Sequence, residues 1–505
     1  MSTKNKIFIF VHDAYPLFDD NDPSRFGGRE THAVEIAKIL AQTPANDVYI
    51  IVEQSPYSKN KKFENLNILS YKSSRIQSSN HHNDFLENMN CDLAIFFGVN
   101  YKTVEGVYYC KERGIPSYLF IVSNDELDKQ IFYNSDYSLT RNGDSGHYLY
   151  FAINFVDTII VQSHDQQRIL KQNFQRSSFV VYNPIDLEHF EMKQQLQKKY
   201  ALWIGRSDHF HKRVHLFNEL STACPEINFL MIMNKDDSKI FDETLKNMPS
   251  NVDFIESVPY AQIPHFFHKS KIYISTASSH YEGYPNAFLQ AALAKTPVYS
   301  LEVDPDEIIQ KNDCGFVAGS NLDSLISQLK HTWENEQLLI EQGQKYYEII
   351  TEKHSTESIK STLKTILEND IPTRESDNFK DYDFSKNSLV KQISEHVLST
   401  IKAELKSQDK IAFFPTGLHS QWLARLIQYE VNSDQVLFID DNPVQDELYD
   451  FKVTASSDLT MEKACTIFLS SDCPSDGLKN RAKELFGKKL KELYEGMPNG
   501  PYFLK

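Results

Sequence analysis

Two cations near the end of a predicted strand have the right types and spacing to bind phosphate. The run Trp203–Arg206 ends in Gly205-Arg206, and Lys212 follows six residues later at the start of a predicted helix. Arginine holds phosphate oxygens through paired hydrogen bonds, and lysine adds a compact charge. We predict that Arg206 and Lys212 neutralise a diphosphate and stabilise it when it leaves. The competing interpretation is a solvated basic surface.

A second segment combines an acidic side chain with the start of a helix. The loop His280–Asn286 follows the predicted strand Ile272–Ser275 and leads into a helical pattern. Backbone N–H groups at such a helix start can hold anions, and Glu282 lies in the loop. Gln290 lies one to two turns into the helix and could bond a hydroxylated group. A helix N-terminus with an acidic first turn is the alternative interpretation.

A diglycine separates the first predicted strand from the first predicted helix. Gly27 and Gly28 lie between the apolar run Ile7–Val11 and a helical pattern that includes Ala33 and Leu40. Glycine lets a backbone approach a ligand closely, and the helix start offers free N–H groups to an anion. A tight turn is the alternative.

The elements that must position these residues follow an alternating pattern. Short apolar runs alternate with helical patterns, and the alternation restarts near Ala201, after Asn183-Pro184. Strands that alternate with helices indicate βαβ units and a parallel sheet. We therefore predict an α/β protein with two Rossmann-like, doubly wound domains that face a cleft. A ligand is expected at the carboxyl ends of the strands.

The remainder of the chain predicts a third α/β unit. We assign residues 1–190 to an N-terminal lobe, 191–370 to a C-terminal lobe, 371–385 to a linker and 386–505 to an accessory Rossmann-like domain. In that domain Gly417 lies between a strand and a helix, and Asp440 ends the next strand. A nucleotide-binding unit usually has three spaced glycines there, and only Gly417 is present. We favour a structural or partner-docking role.

Composition restricts the classes of function. The chain has 505 residues, of which 41% are hydrophobic and 24% charged, so disorder is not its main state. A formal net charge of -16 disfavours binding to duplex nucleic acid. Six cysteines are scattered without a C-x-x-C pair, which predicts buried thiols and no metal centre. His81-His82 and His209–His211 also lack evident partner ligands.

The lengths of the apolar runs predict the location of the protein. No run reaches the roughly 18 apolar residues of a membrane span or the 7–15 of a secretory signal. We predict a cytoplasmic protein. A basic face near the C-terminus could contact the inner face of a membrane, although a core-packed helix with a solvated face is favoured. Its cations are Lys479, Arg481, Lys483, Lys488, Lys489 and Lys491.

Four motifs together resemble retaining glycosyltransferases of family 4, which have the GT-B fold. The resemblance extends from about residue 5 to residue 370, and the motifs occur in the order of the family. They are Gly27-Gly28, Asn183-Pro184-Ile185-Asp186 with Phe190, Gly205-Arg206 with Lys212, and Glu282-Gly283-Tyr284-Pro285-Asn286.

The resemblance implies a metal-independent transferase without a cofactor. It implies that a sugar moves from a nucleotide-sugar to a glycan, lipid-linked or other hydroxyl acceptor, with retention of the anomeric configuration. Arg206 and Lys212 would bind the leaving diphosphate, and Glu282 would contact the transferred sugar. The implied donor-binding residues are Gly27, Gly28, Gly205, Tyr284, Pro285, Asn286, Ala287 and Gln290.

Some positions depart from the family and keep alternatives open. Gln290 stands where the family has a second glutamate, and Arg213 where many members have glycine. Asp125 follows a strand that often leads to a histidine, and Asp306 lies where Gly-Gly is common; both are candidate sugar contacts. The alternatives are an inactive GT-B module that binds a glycan or protein partner, and a nucleotide-sugar epimerase. The donor base, the sugar, the acceptor and the oligomeric state stay open.

Overall fold

Three β-sheets organise the described part of the protein. Their strands and helices form two compact units. The first unit takes the described residues of Met1–Ser74, His82–Asp128 and Ala152–Phe379, and the second those of Arg75–His81, Lys129–Phe151 and Lys380–Lys505. The computed structural model describes residues 4–19, 21–22, 24, 26–77, 81–128, 131, 140, 143–185, 187–191, 196–368, 379–416, 418–428, 430–443, 447–448, 451–458, 465–471, 475–491 and 493–494.

An eight-stranded sheet forms the N-terminal lobe of the first unit. Its strands are β1 Asn5–Phe10, β2 Asn46–Glu53, β3 Lys61–Phe63, β4 Leu66–Tyr71, β5 Leu93–Phe97, β6 Ser117–Phe120, β7 Thr158–Val161 and β8 Phe179–Val180. The helices are α1 Gly28–Ala41, α2 Asp84–Glu87, α3 Tyr101–Arg113, α4 Gly146–Phe155, α5 His164–Phe174 and α6 Leu187–Phe190, although residues 146–151 of α4 belong to the second unit. The order is β3-β4-β2-β1-β5-β6-β7-β8, and only β3 runs antiparallel to its neighbour. The central strands are buried on both faces, which explains their continuous apolar runs.

A six-stranded parallel sheet forms the C-terminal lobe. Its strands are β9 Tyr200–Arg206, β10 Phe229–Asn234, β11 Val252–Ile255, β12 Ser270–Ser275, β13 Val298–Ser300 and β14 Gly315–Val317. The helices are α7 Val214–Ala223, α8 Ser238–Lys246, α9 Ile263–His268, α10 Asn286–Leu293, α11 Ile308–Lys311, α12 Leu322–Thr332, α13 Glu336–Lys353 and α14 Thr356–Glu368. In the order β11-β10-β9-β12-β13-β14, the chain changes direction across the sheet between β9 and β12. Parallel sheets bind ligands at the carboxyl ends of strands beside such a switch point.

The last helix of the first unit returns to the N-terminal lobe. Ile359, Leu363 and Ile366 of α14 are buried in the core that α1 forms with its sheet. The apolar stripe on α14 therefore joins the end of the C-terminal lobe to the N-terminal core. This packing makes the two lobes parts of one unit.

The second unit contains the third sheet. Its strands are β15 Lys410–Phe414, β16 Val436–Asp440, β17 Glu447–Leu448, β18 Phe451–Ala455, β19 Cys465–Leu469 and β20 Leu490–Lys491, and its further helices are α15 Lys386–Ser407, α16 Leu418–Ile427 and α17 Asp476–Phe486. The order is β17-β18-β16-β15-β19-β20, with only β17 antiparallel to its neighbour. This topology confirms the predicted third Rossmann-like unit.

Part of the predicted linker is packed. Residues 371–378 lie outside the described residues, but Tyr382 and Phe384 are 8% and 4% exposed. The Tyr382 ring lies 4.6 Å from that of His147 and 5.1 Å from that of Phe151. Aromatic residues thus hold residues 380–385 in the second unit. The predicted boundaries at residues 190, 370 and 385 remain a prediction.

Other predictions can be compared with the described residues directly. None of their helices is long and apolar enough to cross a membrane. Four cysteines (Cys91, Cys110, Cys224 and Cys314) are buried free thiols, as predicted. The side chains of the other two fall outside the described residues, as do Asp186 and Gly417.

Candidate active site

The end of β9 is shaped by a buried tryptophan. Trp203 is 1% exposed, and its Nε1 donates to Thr276 Oγ1 at 3.0 Å, just beyond the end of β12. A Cβ on Gly205 would lie 2.5 Å from the Trp203 ring. Glycine at 205 is therefore required by packing, and the backbone of Arg206 follows directly at the carboxyl end of the strand. The predicted contact of Gly205 with the donor remains a prediction.

Asp208 organises the loop between β9 and α7. This side chain is 1% exposed, and its Oδ1 accepts the backbone N–H groups of His211 at 2.8 Å and Lys212 at 2.7 Å. Its Oδ2 accepts from Arg206 Nε at 3.0 Å. One buried carboxylate thus fixes the loop and orients a predicted phosphate ligand. Sequence analysis missed Asp208, and the available signal was an aspartate shortly before a predicted helix start.

Glu282 pairs with the basic side chains of that loop. Lys212 Nζ donates to Glu282 Oε1, and His211 Nε2 lies 3.0 Å from the same oxygen. Glu282 is 8% exposed. Burial alone would raise the pKa of Glu282, but Lys212 and His211 hold this pKa well below its usual value. The carboxylate therefore stays charged across the physiological range.

His211 connects this pair to Arg206. Arg206 Nη2 donates to His211 Nδ1 at 2.9 Å. The three predicted catalytic residues, Arg206, Lys212 and Glu282, are therefore brought together around one histidine. Sequence analysis considered His211 only as a metal ligand without partners, because the fold of the loop cannot be read from residue spacing.

Arg213 ties the same loop to the segment after β12. It precedes α7 with φ at 50°, a left-handed conformation that favours glycine. Its guanidinium donates to Thr276 O at 2.7 Å, Ala277 O at 2.8 Å and Glu302 Oε1 at 2.5 Å. These three bonds offset the backbone cost of arginine at a position where glycine would be free of strain.

The N-terminal lobe contacts the Glu282 loop through the segment after β6. Ser123 and Glu282 form an isolated antiparallel bridge, and Ser123 Oγ donates to Tyr281 O. Asn124 Nδ2 donates to Ser279 O at 2.8 Å. The backbone of the candidate sugar-binding loop is therefore fixed by polar groups of the other lobe.

Gln162 extends that contact. Its Oε1 accepts the Tyr284 N–H at 3.1 Å. A Cβ on Gly283 would lie 2.5 Å from Gln162 Oε1 and 2.7 Å from Gln166 Nε2. Glycine at 283 thus allows the two lobes to approach. The predicted donor contact of Tyr284 remains a prediction.

The diglycine lies against the start of α10. Asn286 Nδ2 donates to Gly28 O at 3.1 Å, and a Cβ on Gly28 would lie 2.9 Å from the same nitrogen. Asn183 Nδ2 donates to Asn286 Oδ1 at 3.1 Å. Gly27 caps α1, and its N–H donates to Glu30 Oε2 at 2.8 Å. The structure therefore joins three of the four sequence motifs at one place.

Gln290 faces a small cavity between α1 and α10. Thr31, His32 and Glu35 line it from the N-terminal lobe, and Tyr260 from the C-terminal lobe. The cavity measures about 40 Å³, enough for a few water molecules at roughly 10–15 Å³ each. The predicted ribose contact of Gln290 therefore requires a wider cleft and remains a prediction, as do the contacts of Pro285 and Ala287 at the start of α10.

The two candidate sugar contacts have protein partners. Asp306 Oδ1 accepts the Asp165 N–H at 3.0 Å, and Asp165 Oδ2 accepts the Asp306 N–H at 2.8 Å. Tyr182 Oη donates to the other Asp306 oxygen at 3.1 Å. Asp125 Oδ1 lies beside Ser123 Oγ and shares its single hydroxyl hydrogen with Tyr281 O. These bonds use the carboxylates within the protein, so sugar contact by either remains a prediction.

One exposed cluster in the described residues has side chains of the types that bind metals. Donor atoms of His82, Asp84 and Glu87 lie within 4.8 Å of one another. His82 Nε2 lies 2.8 Å from Asp84 Oδ1, and Nδ1 lies 2.5 Å from Glu87 Oε1. Both ring nitrogens therefore already have protein partners, which accounts for the cluster without an ion.

The segment that contains the three predicted catalytic residues matches a known family model. Residues 198–335 match the family model of glycosyl transferases group 1, and this segment contains Arg206, Lys212 and Glu282. No curated protein matches the chain.

Several solved structures share the architecture at low sequence identity. One is a mutant of S. aureus TarM in complex with fondaparinux, alpha-GlcNAc-glycerol and UDP, at 14% identity and a TM-score of 0.55, covering 72% of this chain and 100% of that one. Sucrose-phosphate synthase from Thermosynechococcus elongatus is 10% identical with a TM-score of 0.57, covering 72% and 98%. Anabaena HepE in complex with UDP and glucose is 14% identical with a TM-score of 0.55, covering 72% and 99%. The predicted GT-B fold is confirmed, and residues 198–335 of its C-terminal lobe match the family model of glycosyl transferases group 1.

Proposed function

We propose that this protein is a retaining glycosyltransferase. It transfers a sugar from a nucleotide-sugar to a hydroxyl of a glycan or lipid-linked acceptor, without a metal ion. The observation that carries the proposal is the convergence of Arg206, Lys212 and Glu282 at the carboxyl ends of β9 and β12. The match of this segment to glycosyl transferases group 1 supports it.

The two cations bind the donor diphosphate in this proposal. The side chains of Arg206 and Lys212 are 36% and 25% exposed, so a ligand can reach both. Each charge-assisted hydrogen bond contributes about 1.5–3 kcal/mol. Arg206 and Lys212 stabilise the negative charge that grows on the leaving diphosphate. In other transferases a divalent metal ion has this role.

Glu282 orients the transferred sugar. Because its pKa is held well below the usual value, Glu282 stays a carboxylate and accepts hydrogen bonds from sugar hydroxyls rather than donating a proton. The attacking hydroxyl approaches from the face that the diphosphate leaves, and a phosphate oxygen takes its proton. The protein then accelerates transfer by positioning the partners and stabilising charge.

The structural neighbours support the proposed donor and acceptor classes. TarM was solved with fondaparinux, alpha-GlcNAc-glycerol and UDP, and HepE with UDP and glucose. We extend this to a nucleotide-sugar donor and a glycan-type acceptor here.

In the basic face near the C-terminus, Arg481 pairs with Asp441 at 3.2 Å and Lys491 with Glu404 at 2.7 Å. These pairs favour a solvated face over lipid contact.

A second candidate is a GT-B module that binds a glycan or a protein without transfer. Two observations favour it: Lys212 and Glu282 neutralise each other, and the cavity at Gln290 has room for only a few water molecules. Transfer requires these groups to exchange their protein partners for substrate. Binding without transfer does not.

One experiment separates the candidates. The protein is incubated with a panel of nucleotide-sugars, and release of free nucleotide is measured with and without EDTA. The transferase proposal expects release from at least one donor, unchanged by EDTA and lowered roughly 10–100-fold in Lys212→Ala. Lys239→Ala is the matched control, because Lys239 is an 83% exposed lysine of the same lobe.

Each alternative gives its own result. Nucleotide affinity without release favours the inactive module that retains a donor fold, and no nucleotide affinity favours a module for other ligands. A changed sugar configuration in recovered nucleotide-sugar, seen by NMR, indicates an epimerase. The anomeric coupling constant of the transfer product tests retention, and loss of activity in EDTA restored by magnesium contradicts metal independence.

A further inference from the structure

The ring of His211 lies between two side chains of opposite charge. Its Nδ1 is 2.9 Å from Arg206 Nη2, and its Nε2 is 3.0 Å from Glu282 Oε1. The two neighbours belong to different segments, the end of β9 and the loop after β12. The His211 side chain is 17% exposed, so both contacts are largely shielded from water.

The arginine determines which ring nitrogen carries the proton. A guanidinium has only donors, so the contact with Arg206 requires a lone pair on Nδ1. The proton of the neutral ring then lies on Nε2, which is the nitrogen beside the Glu282 carboxylate. Nε2 lies 3.0 Å from Glu282 Oε1 but outside hydrogen-bond geometry, so its N–H dipole attracts the carboxylate more weakly than an aligned hydrogen bond would.

The backbone of His211 is held on both sides. Its N–H donates to Asp208 Oδ1 at 2.8 Å, and its carbonyl accepts the Ser278 N–H at 2.8 Å. The ring centroid lies 5.7 Å from that of Tyr281. The ring is therefore fixed relative to both segments that supply its charged neighbours.

We propose that His211 is a positioning residue that sets the distance between the phosphate-binding Arg206 and the sugar-binding Glu282. This inference rests on the proposed function. Lys212 also connects the two segments, but it gives up Glu282 when it turns to phosphate. His211 keeps Arg206 and Glu282 in register during that exchange, and transfer rates are sensitive to displacements of about 1 Å.

Two substitutions separate the two contacts. Asparagine places an amide oxygen near the position of Nδ1, so His211→Asn keeps the Arg206 contact and loses the Glu282 contact. Glutamine places an amide nitrogen near the position of Nε2, so His211→Gln does the reverse. We expect His211→Asn to lower kcat about tenfold with nucleotide affinity kept, and His211→Gln to weaken nucleotide affinity about tenfold with a smaller loss of kcat.

Matched controls exclude a general loss of structure. His209→Asn and His209→Gln make the same substitutions two positions away, at an exposed ring that contacts His215. These controls should retain wild-type kinetics, and all four variants should melt within a few degrees of the wild type. Equal effects of both His211 variants on kcat and affinity, or no effect of either, would overturn the proposal.

A measurement independent of activity tests the geometry itself. Nitrogen-15 NMR of histidine-labelled full-length protein, with the His211 signals assigned by their absence in His211→Gln, reports the protonated ring nitrogen. We expect the neutral ring to carry its proton on Nε2, and a neutral ring protonated on Nδ1 would overturn the proposal. If the wild type releases no nucleotide, the proposed function fails, whereas the tautomer still decides whether His211 bridges Arg206 and Glu282.

Discussion

Glu126 offers a test of the electrostatics beyond the carboxyl end of β6 in the N-terminal sheet. Its Oε2 accepts the Val122 N–H at 2.9 Å, and a Cβ on Gly98 would lie 2.9 Å from its Oε1. Burial raises the pKa of Glu126 to about 8, and Asp125 adds to the rise, against the opposing effects of backbone N–H groups and Arg29. Glu126 is therefore largely protonated at neutral pH.

The direction of the pH effect follows from proton binding. Between the unfolded value of 4.5 and the folded value of about 8, the folded protein holds a proton that the unfolded chain has released. The free energy of unfolding therefore falls as pH rises through this window and is level above it. A shift of this size corresponds to about 5 kcal/mol at 1.36 kcal/mol per unit. Because Glu126 is only partly buried, we expect somewhat less than half of that, ~2 kcal/mol.

Glu126→Gln removes the charge and keeps an oxygen that can accept from Val122. We expect the variant and the wild type to be equally stable at pH 4, below the unfolded value, and the variant to be more stable by about 2 kcal/mol at pH 8.5. Urea denaturation at both pH values measures the difference, and hydrogen exchange of peptides covering residues 117–127 shows whether it is local. Glu256→Gln, at an exposed site, is the control. A difference that does not change with pH, or a wild type that is the more stable at pH 8.5, would refute the reasoning.

Three further predictions concern the site. Arg206→Ala or Lys212→Ala should lower turnover roughly 10–100-fold through loss of charge-assisted bonds. Unchanged steady-state rates in both variants would show that Arg206 and Lys212 do not belong to the site. Glu282→Gln should lower turnover at least about tenfold and leave nucleotide affinity, measured by calorimetry, nearly intact; transfer at the wild-type rate would contradict its assignment. Gly283→Ala places a methyl group 2.5 Å from Gln162 Oε1 and should cost about 1–3 kcal/mol at the contact between the lobes, seen as a lower melting temperature. An unchanged melting curve would show that the lobes yield freely.

Much of the fold could be predicted because its strands are continuously apolar. Runs such as Leu93–Phe97 are buried on both faces, and their flanking glycines and polar residues mark the carboxyl ends. Parallel topology then places those ends at one edge of a sheet, which is how Arg206 and Glu282 could be assigned to one site. Element order and strand ends are local properties, and the sequence contains them.

The contacts that complete the site could not be predicted, because they join distant segments. Gln162 meets Tyr284 across 122 positions of sequence, and Asp165 meets Asp306 across 141. Polar residues of these types are common on surfaces, so their spacing carries no signal. The contacts of His211 could not be predicted for a related reason: they depend on how Asp208 folds the loop.

The charge pairs of the site imply a link between phosphate and sugar recognition. Arg206 pairs with Asp208 and Arg213 with Glu302, and both of these carboxylates are also tied to backbone N–H groups. The Lys212–Glu282 pair is different, because it joins a proposed phosphate ligand to a proposed sugar ligand. A diphosphate that binds Lys212 must displace Glu282 from it. This competition lowers the apparent affinity of the protein for the diphosphate. The same exchange frees an oxygen of Glu282 to accept hydroxyls of the sugar attached to that diphosphate. We therefore expect the intact donor to recover, through its sugar, binding energy that a free nucleoside diphosphate loses by separating this pair.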